Sequence, residues 1–352
     1  MFLLALVLFQ QVPTVRLDRP TAAPKESFTE ITGLVELPDG RLLVADQSEH
    51  RLVRLDPRSS EVTPLSHQGA GPREFRAVSH LFPRPGGGAW LTDFAQRRLL
   101  PINADGSLAD VVAVPPSLLL AAVDASGRIY ADLFGKFANG KAPDSMTVVR
   151  WTPPASGYDT LMLRNANWST RTGRPRHALA PYDASVVLAS GDVVTLDAAH
   201  YRFERWHDGT RIASAMVPWT PIPMTAEEKR AYIAAESAQK SRSFRNGKAG
   251  STAPGAPPPN WLDGIVWPTN KPAFVDDDVY ASSDARIWLR RYTAFTDSTP
   301  RYDVLDDAGR LVGRVTLRTS GKVVGFGKGV VYIGERNDDD ELQIRRYPLP
   351  AF

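Results

Sequence analysis

A short phrase recurs along this chain: a turn glycine, an apolar run and then a charged residue. It first occurs at residues 40–46 (GRLLVAD), where the charge follows the glycine by six positions. Further copies occur at residues 87–93, 127–132, 191–197, 284–290 and 329–335. Self-similarity at a period of about 40–50 residues is typical of repeat architectures, in which each unit buries its apolar faces only against its neighbours. We therefore expect one array of six units, although the length of 352 residues alone would suggest two or three domains.

The first unit shows how each repeat is built. A strand-like run at residues 28–37 leads into a Pro-Asp-Gly turn, and a nearly continuous apolar run follows at 41–45. A third strand is expected at 51–55 and a short outer strand at 61–65. Four short strands joined by tight turns make one blade of a β-propeller. By the same pattern the six predicted blades cover residues 28–65, 75–114, 118–163, 180–217, 273–317 and 322–347.

Two further features complete the predicted fold, which is all-β. The last unit lacks room for a fourth strand, and we expect Thr14–Leu17 to supply it and so close the ring, which hides a free sheet edge. Residues 224–271 form a helical and loop insertion between blades four and five, beginning with a capping box at Thr225 and Glu228. The helix is expected to run to about Gln239, with a loop rich in Ser, Gly and Pro after it. The sequence thus predicts a six-bladed β-propeller with one insertion.

Composition limits the classes of partner and the compartment. The net charge is +3 and no block of five like charges occurs, so nothing indicates nucleic-acid binding. Cysteine is absent, which excludes disulfides and thiolate chemistry. Eight consecutive apolar residues at 2–9 are too few to span a bilayer but fit the core of a signal peptide. We interpret 1–11 as a signal peptide and 12–352 as a periplasmic or extracellular chain without a membrane span; a buried N-terminal strand or helix turn is the alternative.

Several of these segments resemble six-bladed propellers of the NHL-repeat type. The resemblance lies in the Pro-Asp-Gly turn with residues 42–46, in 51–53, and in the Gly-x-Gly-Pro-x-x-Phe phrase at 69–75. The runs at 288–292 and 345–347 look like a group of bacterial, secreted propellers without an assigned function. The resemblance covers nearly the whole chain except 224–271, and it implies the fold but no activity, because one fold hosts many functions.

The charged residues that end the repeated phrase are the first candidate site. In a propeller the second strands end on the face that carries the connections between blades, so these side chains are expected to ring one mouth of the channel. One interpretation is a polar collar that binds a cation or an amine; the other is that each Asp accepts hydrogen bonds from nearby loop N–H groups. The collar consists of Asp46, Asp93, Asp132, Asp197, Arg290 and Glu335.

Other candidates lie beside this collar. Arg290 with Arg291 would bind an anionic group, unless both are used in ion pairs with the neighbouring collar carboxylates. His177 is the best candidate for a site histidine, because it lies in a blade connection and imidazole titrates near neutral pH. The acidic runs at 276–278 and 338–341 are interpreted as solvated turns. The insertion would act as a lid over the mouth, or else pack on the rim; the aromatic residues in it or just before it are Trp219, Tyr232, Phe244, Trp261 and Trp267.

The favoured function is a secreted or periplasmic binding or interaction propeller, which acts as a monomer. Its ligand would be a small molecule, a peptide or a protein at the channel mouth. No catalytic triad, phosphate loop, metal-ligand set or cofactor fingerprint is recognisable in the sequence. The alternative is a metal-dependent lactonase or esterase of the gluconolactonase type, since such propellers hold a divalent cation in the channel. A scaffold without any small-molecule site is the third reading.

Overall fold

The computed structural model describes residues 12–133, 144–167, 176–245, 264–318 and 320–352, with the side chains of its one α-helix described only to residue 237. The predicted fold is confirmed: six antiparallel sheets form a six-bladed propeller. The glycine of the repeated phrase has a structural reason, because Gly40, Gly127 and Gly191 all adopt positive φ angles of 83 to 89° in the turn before the second strand. The predictions for residues 1–11, for 246–263 with Trp261, and for the side chain of Phe244 concern positions outside the described residues.

Within each blade the strands follow one another from the axis outwards. Blade one contains β3 (Ile31–Glu36), β4 (Leu42–Asp46), β5 (Arg51–Leu55) and β6 (Val62–Ser66), and blade two contains β7 (Val78–Pro83), β8 (Ala89–Asp93), β9 (Arg98–Ile102) and β10 (Val112–Ala113). Blade three contains β11 (Leu118–Val123), β12 (Ile129–Leu133), β13 (Ser145–Trp151) and β14 (Tyr158–Asn165), and blade four contains β15 (Ala184–Val187), β16 (Val193–Asp197), β17 (Arg202–His207) and β18 (Thr210–Met216). Blade five contains β19 (Phe274–Ala281), β20 (Ile287–Arg291), β21 (Arg301–Leu305) and β22 (Leu311–Leu317), and blade six contains β23 (Lys322–Gly327), β24 (Val330–Arg336) and β25 (Leu342–Pro348).

The first strands of the blades lie around the axis. Strand β3 contacts β23 on one side and β7 on the other, and β15 contacts β11 and β19. At Gly33 a Cβ atom would lie 2.4 Å from the backbone nitrogen of Leu81, so only glycine permits this approach of β3 to β7. The second strands pack on both faces, which explains why every residue of β4 is buried and why the strand lacks alternation.

The N-terminal segment closes the ring differently from the prediction. Strand β1 (Thr14–Leu17) pairs in parallel with the outer strand of blade five, so its assignment to blade six is wrong. The fourth strand of blade six is instead the two-residue β2 (Ser27–Phe28), which pairs with β25. Blade one accordingly begins at Ile31, because Phe28 belongs to β2, which pairs with β25 of blade six. N-terminal closure is therefore retained, and β2 together with an isolated bridge between Ala22 and Arg346 carries it.

Apolar clusters fill all six gaps between adjacent blades. Phe28, Val44 and Tyr332 belong to the cluster between blades six and one, and Trp288 and Ile333 to the one between blades five and six. The remaining clusters join blades one and two, two and three, three and four, and four and five. Since the seam is packed like the other gaps, the ring is closed.

The insertion begins with helix α1 (Ala226–Arg245), which extends beyond the predicted end at Gln239. Thr225 caps it as expected, because its hydroxyl accepts the N–H of Glu228 at 3.3 Å. The Glu228 carboxylate pairs with buried Lys271 (2.6 Å) and accepts the N–H of Phe295 (3.1 Å). In the described part of the chain, no helix combines the length and apolar character needed to cross a membrane.

Candidate functional site

One face of the propeller, called the collar face below, carries the charged ends of the second strands. Antiparallel pairing sets the end of each second strand opposite the start of the first strand, as for Asp46 with Ile31 and for Asp93 with Val78. The connections between blades enter on the same face. The loop after β20 also lies there, and its contact with Glu228 places α1 on the collar face beside blade five.

Asp46 and Asp93 are buried acceptors for backbone groups. Asp46 accepts the N–H groups of Thr29 (2.7 Å), Glu30 and Glu49 (both 3.2 Å). Asp93 accepts two N–H groups of the segment entering blade two, at 3.1 and 3.2 Å. Burial raises the pKa of Asp46, although these N–H donors oppose it. Each carboxylate thus ties an incoming blade connection to the end of a second strand.

The other collar acids are bonded in related ways. Asp197 accepts the N–H of Ala199 and the imidazole of His200, both at 2.8 Å. Burial alone would raise the pKa of Asp197, but the hydrogen bond from His200 lowers it. Asp132 forms a two-pronged pair with Arg164, and Glu335 accepts the hydroxyl of Tyr347 at 3.0 Å.

Arg290 and Arg291 point to opposite faces of blade five, as adjacent strand residues do. Among the described ion pairs they contact acids of their own blade rather than the collar carboxylates. Arg290 lies 3.0 Å from Asp278, and Arg291 lies 3.6 Å from the fully buried Asp303. Burial raises the pKa of Asp303, and Arg291 opposes this shift. His177 is exposed in the connection to blade four, where its backbone bridges to Val266 of the insertion.

The two acidic runs have different positions. Residues 338–341 lie in the turn between β24 and β25, as predicted. Residues 276–278 are not a turn, because they belong to β19, where the pairing with β20 shifts register between Phe274 and Val279. Burial and then Asp276 and Asp277 raise the pKa of Tyr292. The sequence pattern does not show this bulge. Because of it, these acids lie in the first strand of blade five and not in a turn.

A cavity of about 250 Å³ opens on the collar face between blades two and three. Its apolar wall contains Phe94 and the first residues of β11, and its polar edge is formed by side chains at the start of β7. Phe94 is 66% exposed, so an aromatic ring stands free at the entrance. The lining residues are Ser79, His80, Thr92, Asp93, Phe94, Arg97, Arg98, Val114, Leu118, Leu119 and Leu120.

Sequence reasoning missed the polar edge of this cavity. Successive strand residues normally point to opposite faces, but the pairing of β7 with β8 shifts register between Val78 and Leu81. Ser79 and His80 therefore meet, with Oγ 2.9 Å from Nδ1. The His80 side chain is accessible from the cavity, and the protein atoms around its ring partly desolvate it, which lowers its pKa and favours a neutral imidazole. The ring also stacks on Phe82 at a centroid distance of 6.0 Å.

The charged lining groups already have protein partners. Arg98 lies 3.3 Å from Asp93 and donates to the carbonyls of Gly71 and Glu74 at 2.9 and 2.7 Å. Arg97 donates to a backbone carbonyl at 2.9 Å. Within the described ranges no three His, Asp or Glu side chains are grouped so that they could hold a metal ion.

The chain matches no protein-family model and no curated protein. Among solved structures, a Bacteroides fragilis protein inferred to be exported shares 12% identity over 96% of this chain and 99% of its own, with a TM-score of 0.52. A DUF4221 family member from Bacteroides vulgatus shares 10% identity over 95% and 98%, with a TM-score of 0.50. A gluconolactonase from Xanthomonas campestris shares 12% identity over 95% and 94%, with a TM-score of 0.45. At these identities the likeness concerns the fold and not the chemistry of any site.

Proposed function

We propose that this propeller is a secreted or periplasmic binding protein of the NHL-repeat-like type, and that its small-molecule site is the cavity between blades two and three. The observation that carries the proposal is the lining of this cavity: a largely apolar wall with a few polar groups converging at one edge. That combination is typical of small-molecule sites. The perturbed pKa of His80 inside a cleft supports the same assignment.

The lining indicates an uncharged, mainly apolar ligand with one or two hydrogen-bonding groups. Asp93 and Arg98 neutralise each other and are held by backbone groups, so neither offers a free charge. His80 with a lowered pKa acts as a neutral donor or acceptor, and Thr92 already bonds the backbone of His80 at 2.8 and 3.2 Å. A cationic ligand would therefore lose hydration without meeting an opposite charge. Arg97 has no acidic partner among the described ion pairs, but it is exposed, so water and salt screen its attraction for an anion.

The test uses benzyl alcohol and benzamide as probes and phenylacetate as a charged comparison, with binding followed by NMR titration and thermal shift. Leu119→Trp fills the cavity and should abolish binding of the two neutral probes. Ile212→Trp is the control, because Ile212 is 53% exposed on the outer strand of blade four. Unchanged binding in Leu119→Trp, or tighter binding of phenylacetate, would overturn the proposed site.

The metal-dependent lactonase alternative makes a different prediction. Elemental analysis of purified full-length protein should then give one tightly held divalent cation per chain. Export is tested separately, by fractionating cells that express the full chain or a chain lacking residues 2–9. The full chain should leave the cytoplasm and the shortened chain should stay; equal distribution would contradict export through this segment.

A further inference from the structure

The gap between blades three and four is packed differently from the others. Its apolar cluster contains only Tyr130, Val148 and Val193 as buried members. Towards the collar face the gap instead holds a polar cavity of about 150 Å³. Its walls come from β14, from the start of β15 and from the facing strands β16 and β17. The lining residues are Met162, Leu163, Arg164, Asn165, Asp183, Ala184, Thr195, Leu196, Asp197, Arg202, Glu204 and Trp206.

The arginines of this cavity are matched by acids. Arg164 pairs with Asp132. Arg202 lies 3.4 Å from Asp197 and 3.7 Å from Glu204. Neither guanidinium therefore offers a free charge to an anionic guest.

The acids outnumber the arginines in this cluster. Glu204 also pairs with Arg211 at 2.9 Å, so three arginines face Asp132, Asp197, Glu204 and one more carboxylate. Counted without His200, four carboxylates and three arginines leave the cluster with one excess negative charge. That charge must be shared with solvent or with a ligand.

Of the four carboxylates in this cluster, Asp183 is the one without an ion pair among the described residues. Its Oδ2 accepts the side-chain amide of Asn165 at 3.2 Å. Burial, and then the nearby charge of Asp197, raise the pKa of Asp183, whereas the Asn165 amide, the N–H of Ala198 and the charge of Arg202 offset this only in part. Such a group gains most from a cation brought into the cavity.

We propose that this cavity binds a small organic ammonium ion, with the ammonium group on Asp183 and the alkyl part against Met162 and Leu163. The site is independent of the cavity between blades two and three. It differs from the predicted collar, because the binding carboxylate precedes the first strand of blade four and does not end a second strand. We expect the ligand to carry an alkyl group because Met162 and Leu163 form an apolar wall on β14. A hydrated inorganic cation would gain nothing from contact with this wall.

The test titrates the full chain with n-butylammonium, n-butanol and butyrate at pH 8, with NMR and calorimetry as readouts. Butylammonium should bind saturably, and the two isosteric probes should not. Asp183→Asn keeps the shape of the side chain and the acceptor for Asn165. It should weaken butylammonium binding by about tenfold or more, because it removes the charge-assisted hydrogen bond to the ammonium group. Asp159→Asn is the matched control, because the Asp159 side chain is 69% exposed on the same outer strand β14.

A second variant covers the case in which Asp183→Asn disturbs the fold. Leu163 is 67% exposed at the cavity mouth, so Leu163→Arg should fold normally and still repel the ammonium probe. The proposal is overturned if butylammonium fails to bind, if butanol binds equally, or if both variants bind like the unmodified chain. Saturable binding of butyrate alone would also overturn it, since it would assign the cavity to Arg202.

Discussion

Lys271 holds helix α1 on the propeller, and replacing it gives the sharpest test of how the insertion is attached. Its ammonium group lies 2.6 Å from both the Glu228 carboxylate and the backbone carbonyl of Thr293, and 3.7 Å from the ring centroid of Phe295. The Lys271 side chain is fully buried and Glu228 is 13% exposed. Lys271→Met keeps the apolar stem and removes the charge together with the hydrogen bond to Thr293.

The expected loss in the free energy of docking α1 follows from the Glu228 carboxylate, which stays charged when Lys271 is replaced. Removing one partner of a buried ion pair costs about 3–5 kcal/mol, because the other charge stays buried without compensation. The rest of the contact consists of a small apolar cluster that includes Met224, Tyr232 and Trp267, and of a partly exposed ion pair between Arg176 and Glu236 at 3.0 Å. The propeller, in contrast, has its own six clusters. We therefore expect α1 to undock locally while the ring stays folded.

Hydrogen exchange measures this undocking directly. Amide protection within residues 226–237 should fall by about a hundredfold to several thousandfold in Lys271→Met, since each 1.4 kcal/mol is a factor of ten. The double variant with Glu228→Gln should recover much of the loss, because no buried charge is then left over. Arg230→Met, on an exposed position of the same helix, is the control. Protection changed by less than threefold in Lys271→Met, or a double variant as unprotected as the single one, would refute the reasoning.

Three further predictions concern the propeller itself. Phe28→Ala should lower the free energy of unfolding by about 3–5 kcal/mol in urea denaturation, because the ring is buried in the closing seam, and a loss under 1 kcal/mol would contradict this role of β2. Desolvation lowers the pKa of His80 in the folded chain, so below about pH 6.5 the unfolded chain binds a proton there more readily. Because the side chain is solvent-accessible, only a small loss of stability is expected as the pH is lowered, and His80→Asn should remove it; the same pH dependence in both chains would contradict this. Asp46→Ala should cost about 1–3 kcal/mol, because buried N–H groups lose their acceptor, and denaturation indistinguishable from the unmodified chain would argue against that.

The blades were predictable because their determinants are local. A turn glycine with positive φ followed by a five-residue apolar strand marks each second strand, and this strand is apolar on both faces because two neighbouring blades cover it. The closing strand was not predictable in the same way. Strand β2 has only two residues and no periodicity, and the longer apolar alternation of Thr14–Leu17 competed for the same assignment.

The site was harder to predict than the fold, because bulges decide which side chains meet. Ser79 and His80 look like opposite-facing strand neighbours in the sequence, and residues 276–278 look like a turn. Both segments lie where the first strand shifts register against the second. No sequence motif marks Asp183. Its proposed role depends on the charge balance among side chains of blades three and four, which are far apart in the sequence.

A closed ring explains why two gaps can hold cavities at all. In an open stack a poorly packed interface would separate, because each unit is held only by its neighbours. In a ring the other interfaces fix the spacing of every pair of blades, so the gap between blades three and four can keep polar side chains and empty volume without opening. That gap lies three blades away from the seam closed by Phe28, the largest separation that six blades permit. The closed ring therefore offsets the small loss of packing free energy at this interface. For that reason a binding site can lie between two blades.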